Sequence, residues 1–239
     1  MASISRLYVD APLASGTAID LTRDQAHYLF GVMRRRVGDR VDVFNGFDGA
    51  WAAEVTDAGK RGGSLTALEQ VQQQQQPPDL WFLFAPIKKA RTDFIVEKAA
   101  EMGAARICPV QTDHTNSERI RQDRLQAHAV EAAEQCGGTY VPPVDPLRSL
   151  SSLLDDWPSD RQLMFCDEAR VGEASILPDL HGPWAIVIGP EGGFSEAERN
   201  RLAGMPNAHV ISLGPRILRA DTAAVAALTL WQSRLGDWQ

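Results

Sequence analysis

Three cysteines, Cys108, Cys136 and Cys166, are all that the 239 residues carry, widely spaced and without a C-x-x-C pair. That argues against a disulfide framework and gives no zinc-site spacing, so a reducing compartment, the cytoplasm, is expected. Long apolar runs are missing too. No stretch reaches the roughly 20 residues of a membrane-spanning helix, and Met1 to Arg6 lacks the apolar segment of an export signal; no membrane partner is expected. Positive charge is in deficit, with 24 Lys and Arg against 31 Asp and Glu and a net charge of -7. A protein that coats nucleic acid without selectivity needs the opposite balance, although a local basic patch is compatible with this one. The chain has no phosphate-binding loop ending in Lys-Ser/Thr and no G-x-G-x-x-G string, which removes support for nucleotide hydrolysis and nicotinamide chemistry. His27, His114 and His128 stand at no spacing suited to a metal, so none is expected and each reads as a polar surface or helix residue.

What is present divides at Gln72 to Pro78, five glutamines closed by two prolines, a run with no apolar periodicity that reads as an interdomain linker. Before it, Arg40 to Phe44 and Trp51 to Val55 are bounded by Gly38-Asp39, Asn45-Gly46, Asp48-Gly49 and Gly62-Gly63. That is the punctuation of short strands and tight turns and predicts a small β-barrel over residues 1–71. One helix is expected to interrupt it, starting after Thr22, carrying His27 to Phe30 and ending before Arg34-Arg35-Arg36. Over residues 79–239 strands alternate with helices, predicting an α/β domain with a mostly parallel sheet. The expected strands are Leu80 to Phe84, Ile107 to Val110, Gln162 to Cys166, Ala185 to Ile188 and Val210 to Leu213. Helices are expected over Thr92 to Met102, over Asp123 to Cys136 with Cys136 on its buried stripe, and from a capping box at Ser195. The last, Thr222 to Arg234, is apolar nearly all round and needs burial on more than one side, which a subunit interface could supply.

Two strand ends share one design: Val187-Ile188-Gly189-Pro190 and Ser212-Leu213-Gly214-Pro215. In open α/β sheets that edge is where ligands bind. Glycine admits a ligand close to the main chain while proline stiffens the loop, so together they suggest a site read by backbone groups. Either loop alone could be a plain tight turn. After the second loop, Asp221 or Thr222 is expected to cap the last helix, and Arg219 either pairs with Asp221 or binds an anion at the mouth of a crevice.

The strings Gly189-Pro190-Glu191-Gly192-Gly193-Phe194-Ser195 with Glu198, and Leu213-Gly214-Pro215-Arg216-Ile217-Leu218-Arg219 with Asp221-Thr222-Ala223, resemble the RsmE family of ribosomal RNA uridine N3-methyltransferases of the SPOUT superfamily. The resemblance extends to His27-Tyr28-Leu29, Met33 to Asp39 and Phe44-Asn45-Gly46, and to Lys88, Glu97 to Gly103 and Glu131 to Gly137. It implies a PUA-like RNA-binding barrel, a C-terminal domain with a deep trefoil knot, and a homodimer. It also implies S-adenosylmethionine held at Ile188, Gly189, Pro190, Gly192, Gly193, Leu213, Gly214, Leu218, Thr222 and Ala223. The substrate implied is a uridine near the 3′ end of small-subunit ribosomal RNA, free or in the assembled subunit. The chain departs from the family pattern at Thr112-Asp113-His114, where the family has Thr-Glu-Arg, and at Ala220-Asp221-Thr222, where it has Thr-Glu-Thr.

Methylating N3 requires proton removal and stabilisation of charge on O2 and O4. Arg219, with Arg216, fits the second task, and Asp221 or Glu191 the first, although Glu191 could instead cap amides of its own loop. RNA contacts are expected from Arg34, Arg35 and Arg36, joined by Arg6, Lys88, Lys89, Arg91 and Arg216. Cysteine addition to a pyrimidine ring through Cys136 is a further chemistry to weigh against core packing. Two other functions compete. A ribose 2′-O-methyltransferase of the same superfamily needs motifs absent here, and a non-catalytic RNA-binding assembly protein would not bind the cofactor.

Overall fold

The computed structural model describes residues 5–59, 61–116, 119–172 and 176–238; the Met1 to Ile4 part of the N-terminal stretch discussed above lies outside the described residues. By packing, the chain separates into a unit of Met1–Gln76 with Ala133–Val141 and a unit of Pro77–Ala132 with Pro142–Gln239.

Alternating apolar residues build the first unit: β1 (Arg6–Tyr8), β2 (Ala18–Asp20), β3 (Arg40–Phe44), β4 (Ala50–Ala58) and β5 (Gly63–Gln72), with α1 (Arg23–Ala26) between β2 and β3. Their order is β1-β3-β4-β5-β2. β1 runs parallel to β3 and the other pairs are antiparallel. Three register shifts between β4 and β5 add twist, and the sheet curls around Leu7, Val9, Ile19, Leu29, Val41, Val43, Val55 and Leu65. The helix starts after Thr22, as the sequence predicts, and Thr22 caps it through a reciprocal bond with Gln25, but the helix then widens into a π-turn over His27–Val32. Met33 N–H reaches back to Tyr28 O at 2.9 Å, and Arg34 closes the element at φ 56, a left-handed conformation costing a non-glycine residue about 1 kcal/mol. The glutamine run is fastened to this unit: Gln75 N–H donates to Thr139 Oγ1 at 3.0 Å and Gly49 N–H to Gln74 Oε1 at 3.1 Å.

The second unit is a six-stranded sheet: β6 (Leu80–Phe84), β7 (Arg106–Gln111), β8 (Arg148–Ser149), β9 (Gln162–Cys166), β10 (Trp184–Ile188) and β11 (Ala208–Ile211), ordered β11-β9-β10-β6-β7-β8 with every pair parallel. β10 is buried at all five positions, the mark of a strand covered on both faces. Its helices are α2 (Lys89–Glu101), α3 (Gln122–Cys136), α4 (Leu150–Asp155), α5 (Glu196–Ala203) and α6 (Ala220–Arg234). On one face Leu83, Val110, Phe165 and Val187 pack with Leu153 of α4 and Leu202 of α5. On the other α6 lies against β10 and α2. The α2–α6 contact is fixed by fully buried Gln232, whose Nε2 donates to Met102 O at 2.6 Å.

Several boundaries and one burial differ from expectation, and α2 starts at Lys89 rather than at Thr92. β11 stops at Ile211, leaving Ser212 and Leu213 in the loop. α6 begins at Ala220 because Ala223 N–H already bonds to Arg219 O at 2.7 Å, so Arg219 is its N-cap residue and neither Asp221 nor Thr222 caps it. Cys136 is exposed rather than buried, because the buried stripe of α3 ends at Ala132 and Ala133.

Candidate functional site at the carboxyl edge of the sheet

Parallel strands in register end together. Phe84 pairs with Ile188, and Ile211 with Cys166, so the loops after β6, β9, β10 and β11 leave one edge. The loop after β10 is held by packing. A Cβ on Gly189 would stand 2.8 Å from the Phe194 ring, which packs edge-on against Phe165 at 5.3 Å, so glycine permits this close approach. Gly193 adopts φ 70, and a Cβ there would fall 2.1 Å from Glu168 Oε1. Glu168 accepts from Phe194 N–H at 3.3 Å and pairs with Arg199, which also reaches Asp167 at 3.4 Å. The loop after β7 braces the same turn. Ser195 Oγ donates to Asp113 Oδ2 at 2.5 Å, and His114 Nδ1 lies 3.1 and 3.2 Å from the carbonyls of Gly192 and Gly193. His114 thus supports the loop, a role its isolated position in the sequence did not suggest. The capping box of Ser195 and Glu198 forms as predicted.

These loops enclose a cavity of about 210 Å³. Of the expected cofactor residues, Ile188, Gly189, Pro190, Gly193, Leu213, Gly214, Leu218 and Ala223 line it. Gly192 and Thr222 do not: Gly192 faces the His114 side chain, and Thr222 is exposed on the first turn of α6. Residues the sequence reading passed over complete the wall, among them Cys166, Asp167, Glu168 and Val171 after β9. Applying the strand-end rule to the Cys166-Asp167-Glu168 stretch would have found them. Burial pushes the Cys166 and Cys108 thiols well above the ordinary value, so neither is a nucleophile at neutral pH. Exposed Cys136 does not line the cavity.

The charged groups at the rim divide unequally. Arg219 and Arg216 line the cavity and are exposed, and their side chains have no ionic or hydrogen-bond partner among the described residues. The alternative of an Arg219–Asp221 pair is therefore set aside. Asp221 instead faces Arg91, Nε to Oδ2 at 3.6 Å, and accepts from Thr222 N–H at 2.9 Å. Glu191 does not cap its own loop; its Oε1 accepts from Arg91 Nη1 at 2.9 Å. Among the expected RNA contacts, Lys88, Lys89, Arg34 and Arg36 are exposed with unpartnered side chains among the described residues. Arg91 is taken by two carboxylates, Arg35 donates to Ser5 Oγ at 2.9 Å, and Arg6 donates to Gly138 O at 2.8 Å while stacking over Phe44 at 5.0 Å. Arg6 is half-buried, and desolvation lowers its pKa against the opposing field of Asp42. It acts as an internal brace.

A family model described as an RNA methyltransferase domain matches residues 74–232, and one described as an RNA methyltransferase PUA domain matches residues 21–67. Ribosomal RNA small subunit methyltransferase E of Rickettsia conorii is 31% identical over 94% of this chain and 93% of its own length. The protein of that name from Bacillus subtilis is 28% identical over 87% of each. The crystal structure of ribosomal RNA small subunit methyltransferase E from Neisseria gonorrhoeae bound to S-adenosyl methionine superposes with a TM-score of 0.89 at 27% identity, covering 99% of this chain and 100% of that one. With the paired glycine-proline loops in place and the match extending over nearly the whole chain, this chain belongs to the RNA methyltransferase family whose members carry the name ribosomal RNA small subunit methyltransferase E.

Proposed function

We propose that the protein methylates N3 of one uridine in small-subunit ribosomal RNA, using S-adenosylmethionine, as a cytoplasmic homodimer in ribosome biogenesis. Residues 1–71 serve as the RNA-binding barrel and 79–239 as the catalytic domain, threaded in the trefoil knot that the resemblance implies. The observation that carries this is a cavity walled by both glycine-proline loops with unpartnered Arg219 at its rim. The lining fits the cofactor. Ile188, Ile211, Leu213, Leu218 and Ala223 offer an apolar surface to an adenine ring, and Gly189 and Gly214 offer main-chain groups.

When bound, S-adenosylmethionine supplies an electrophilic methyl, whose carbon–sulfur bond breaks with its electron pair left on sulfur as the new N–C bond forms. Uridine N3 carries a proton at neutral pH, and that proton must leave. Of the two candidate bases, Glu191 lines the cavity and Asp221 does not, which favours Glu191 as the acceptor and Asp221 as a support for Arg91. Arg219, with Arg216 beside it, meets the negative charge that spreads onto O2 and O4. The test is calorimetry with S-adenosylmethionine, followed by transfer of labelled methyl to small-subunit RNA. Binding and transfer are expected, and a protein that binds RNA but not the cofactor would be an assembly factor instead.

A further inference from the structure

A second cavity, of about 260 Å³, lies beside the first at the same strand edge, between Lys88, Lys89 and Asn116 on one side and Pro190 and Glu191 on the other. Pro190 and Glu191 also line the cofactor cavity, so the turn that follows the central strand is a wall of both. Charge distinguishes the two sides of this cavity. Arg91, one turn along α2, has its guanidinium committed to Glu191 and Asp221, whereas Lys88 and Lys89 are exposed and their ammonium groups have no partner among the described residues. The acid in the lining, Glu191, is offset by Arg91, which leaves a net positive opening. Two ammonium groups call for an anion. A wall shared with the methyl-donor cavity calls for the acceptor itself, and a nucleotide satisfies both. Its phosphate meets the lysines, while its base lies over Pro190 at the mouth of the neighbouring cavity, with the Asn116 amide available to a base carbonyl.

We infer that this second cavity receives the acceptor nucleotide, with Lys88 and Lys89 holding its phosphate. The inference rests on the methyltransferase reading above. It also assigns Glu191 its place between base and methyl donor, which Asp221, lining neither cavity, does not have.

The test uses the full chain, a small-subunit RNA fragment carrying the methylated position, and the double variants Lys88→Ala/Lys89→Ala and Lys88→Glu/Lys89→Glu. RNA affinity is expected to fall about ten-fold or more, and the slope of log affinity against log salt to become shallower by about 1.4, two contacts on a single strand. Cofactor affinity by calorimetry is expected to stay within about two-fold, which also reports intact folding. With 4-thiouridine at the target position, photocrosslinking is expected on the peptide spanning Pro86 to Lys89 or the one containing Asn116. Unchanged RNA affinity and salt slope, or crosslinks confined elsewhere, would overturn the assignment. RNA binding is read whether or not methyl is transferred. Failure of the unaltered protein to transfer methyl would therefore count against the proposed function, while the affinities and crosslinks decide the cavity.

Discussion

Arg91 donates to Glu191 at 2.9 Å and faces Asp221 at 3.6 Å, so one guanidinium from α2 joins the turn after β10 to the first turn of α6. The pair is partly exposed, which limits its contribution to about 1 kcal/mol. Arg91→Ala should raise the KM for S-adenosylmethionine about five-fold through loosened loops, with Arg91→Lys recovering part of it. It should also leave the salt dependence of RNA binding unchanged, because this arginine is already neutralised. A shallower salt slope would return it to the RNA-contact class.

Arg219 should behave differently. Its guanidinium is unpartnered at the cavity rim, so Arg219→Ala leaves cofactor binding nearly intact and lowers kcat by about a hundred-fold or more, the usual loss for one donor to a developing anion. Normal turnover in that variant would remove Arg219 from the chemistry.

The two carboxylates can be separated in the same way. Glu191→Gln should lower kcat about a hundred-fold or more, with a loss that shrinks as pH rises and N3 deprotonates unaided. Asp221→Asn should cost only a few-fold, mostly in KM. Equal losses would mean the base assignment is wrong.

Gly193 provides a steric test. At φ 70 with Glu168 Oε1 2.1 Å from an added Cβ, Gly193→Ala should destabilise the loop by about 1–3 kcal/mol and weaken cofactor binding. Gly214→Ala, also at positive φ in the cavity wall but with open space around the new Cβ, should weaken cofactor binding less. Calorimetry on both variants separates steric from conformational cost.

Much of the framework was legible in the sequence. β9 covers Gln162 to Cys166 as expected, and the predicted capping box at Ser195 forms because both reciprocal partners lie within one turn. Less was legible where long-range contact decides. Nothing local announces that Arg91 is claimed by residues 100 and 130 positions away, that Arg6 spends its donors on Gly138, or that His114 supports two glycine carbonyls. The π-turn at His27–Val32 escaped for another reason: a single wide turn is too short to leave a period of its own in the apolar pattern.

Acidity should affect the first unit through Asp48. Its carboxylate accepts from Leu13 N–H at 2.9 Å and from Asn45 at 2.7 Å, which holds its pKa below the ordinary carboxylate value. A depressed folded pKa adds stability above the unfolded value, near pH 4, and that stability is lost as pH falls through the folded value. Asp48→Asn should therefore lower the melting temperature at pH 7 and have little effect once the pH lies below the folded value. An equal shift at both pH values would mean that packing, not charge, holds the turn.

The central claim, methyl transfer to a uracil nitrogen, is tested most directly by mass mapping of small-subunit ribosomal RNA from cells with and without this protein. The account predicts that one uridine loses a single methyl on N3 in its absence and regains it when the purified protein and S-adenosylmethionine are supplied. An unchanged methylation map, or a missing methyl that proves to be on a ribose 2′-oxygen, would contradict it.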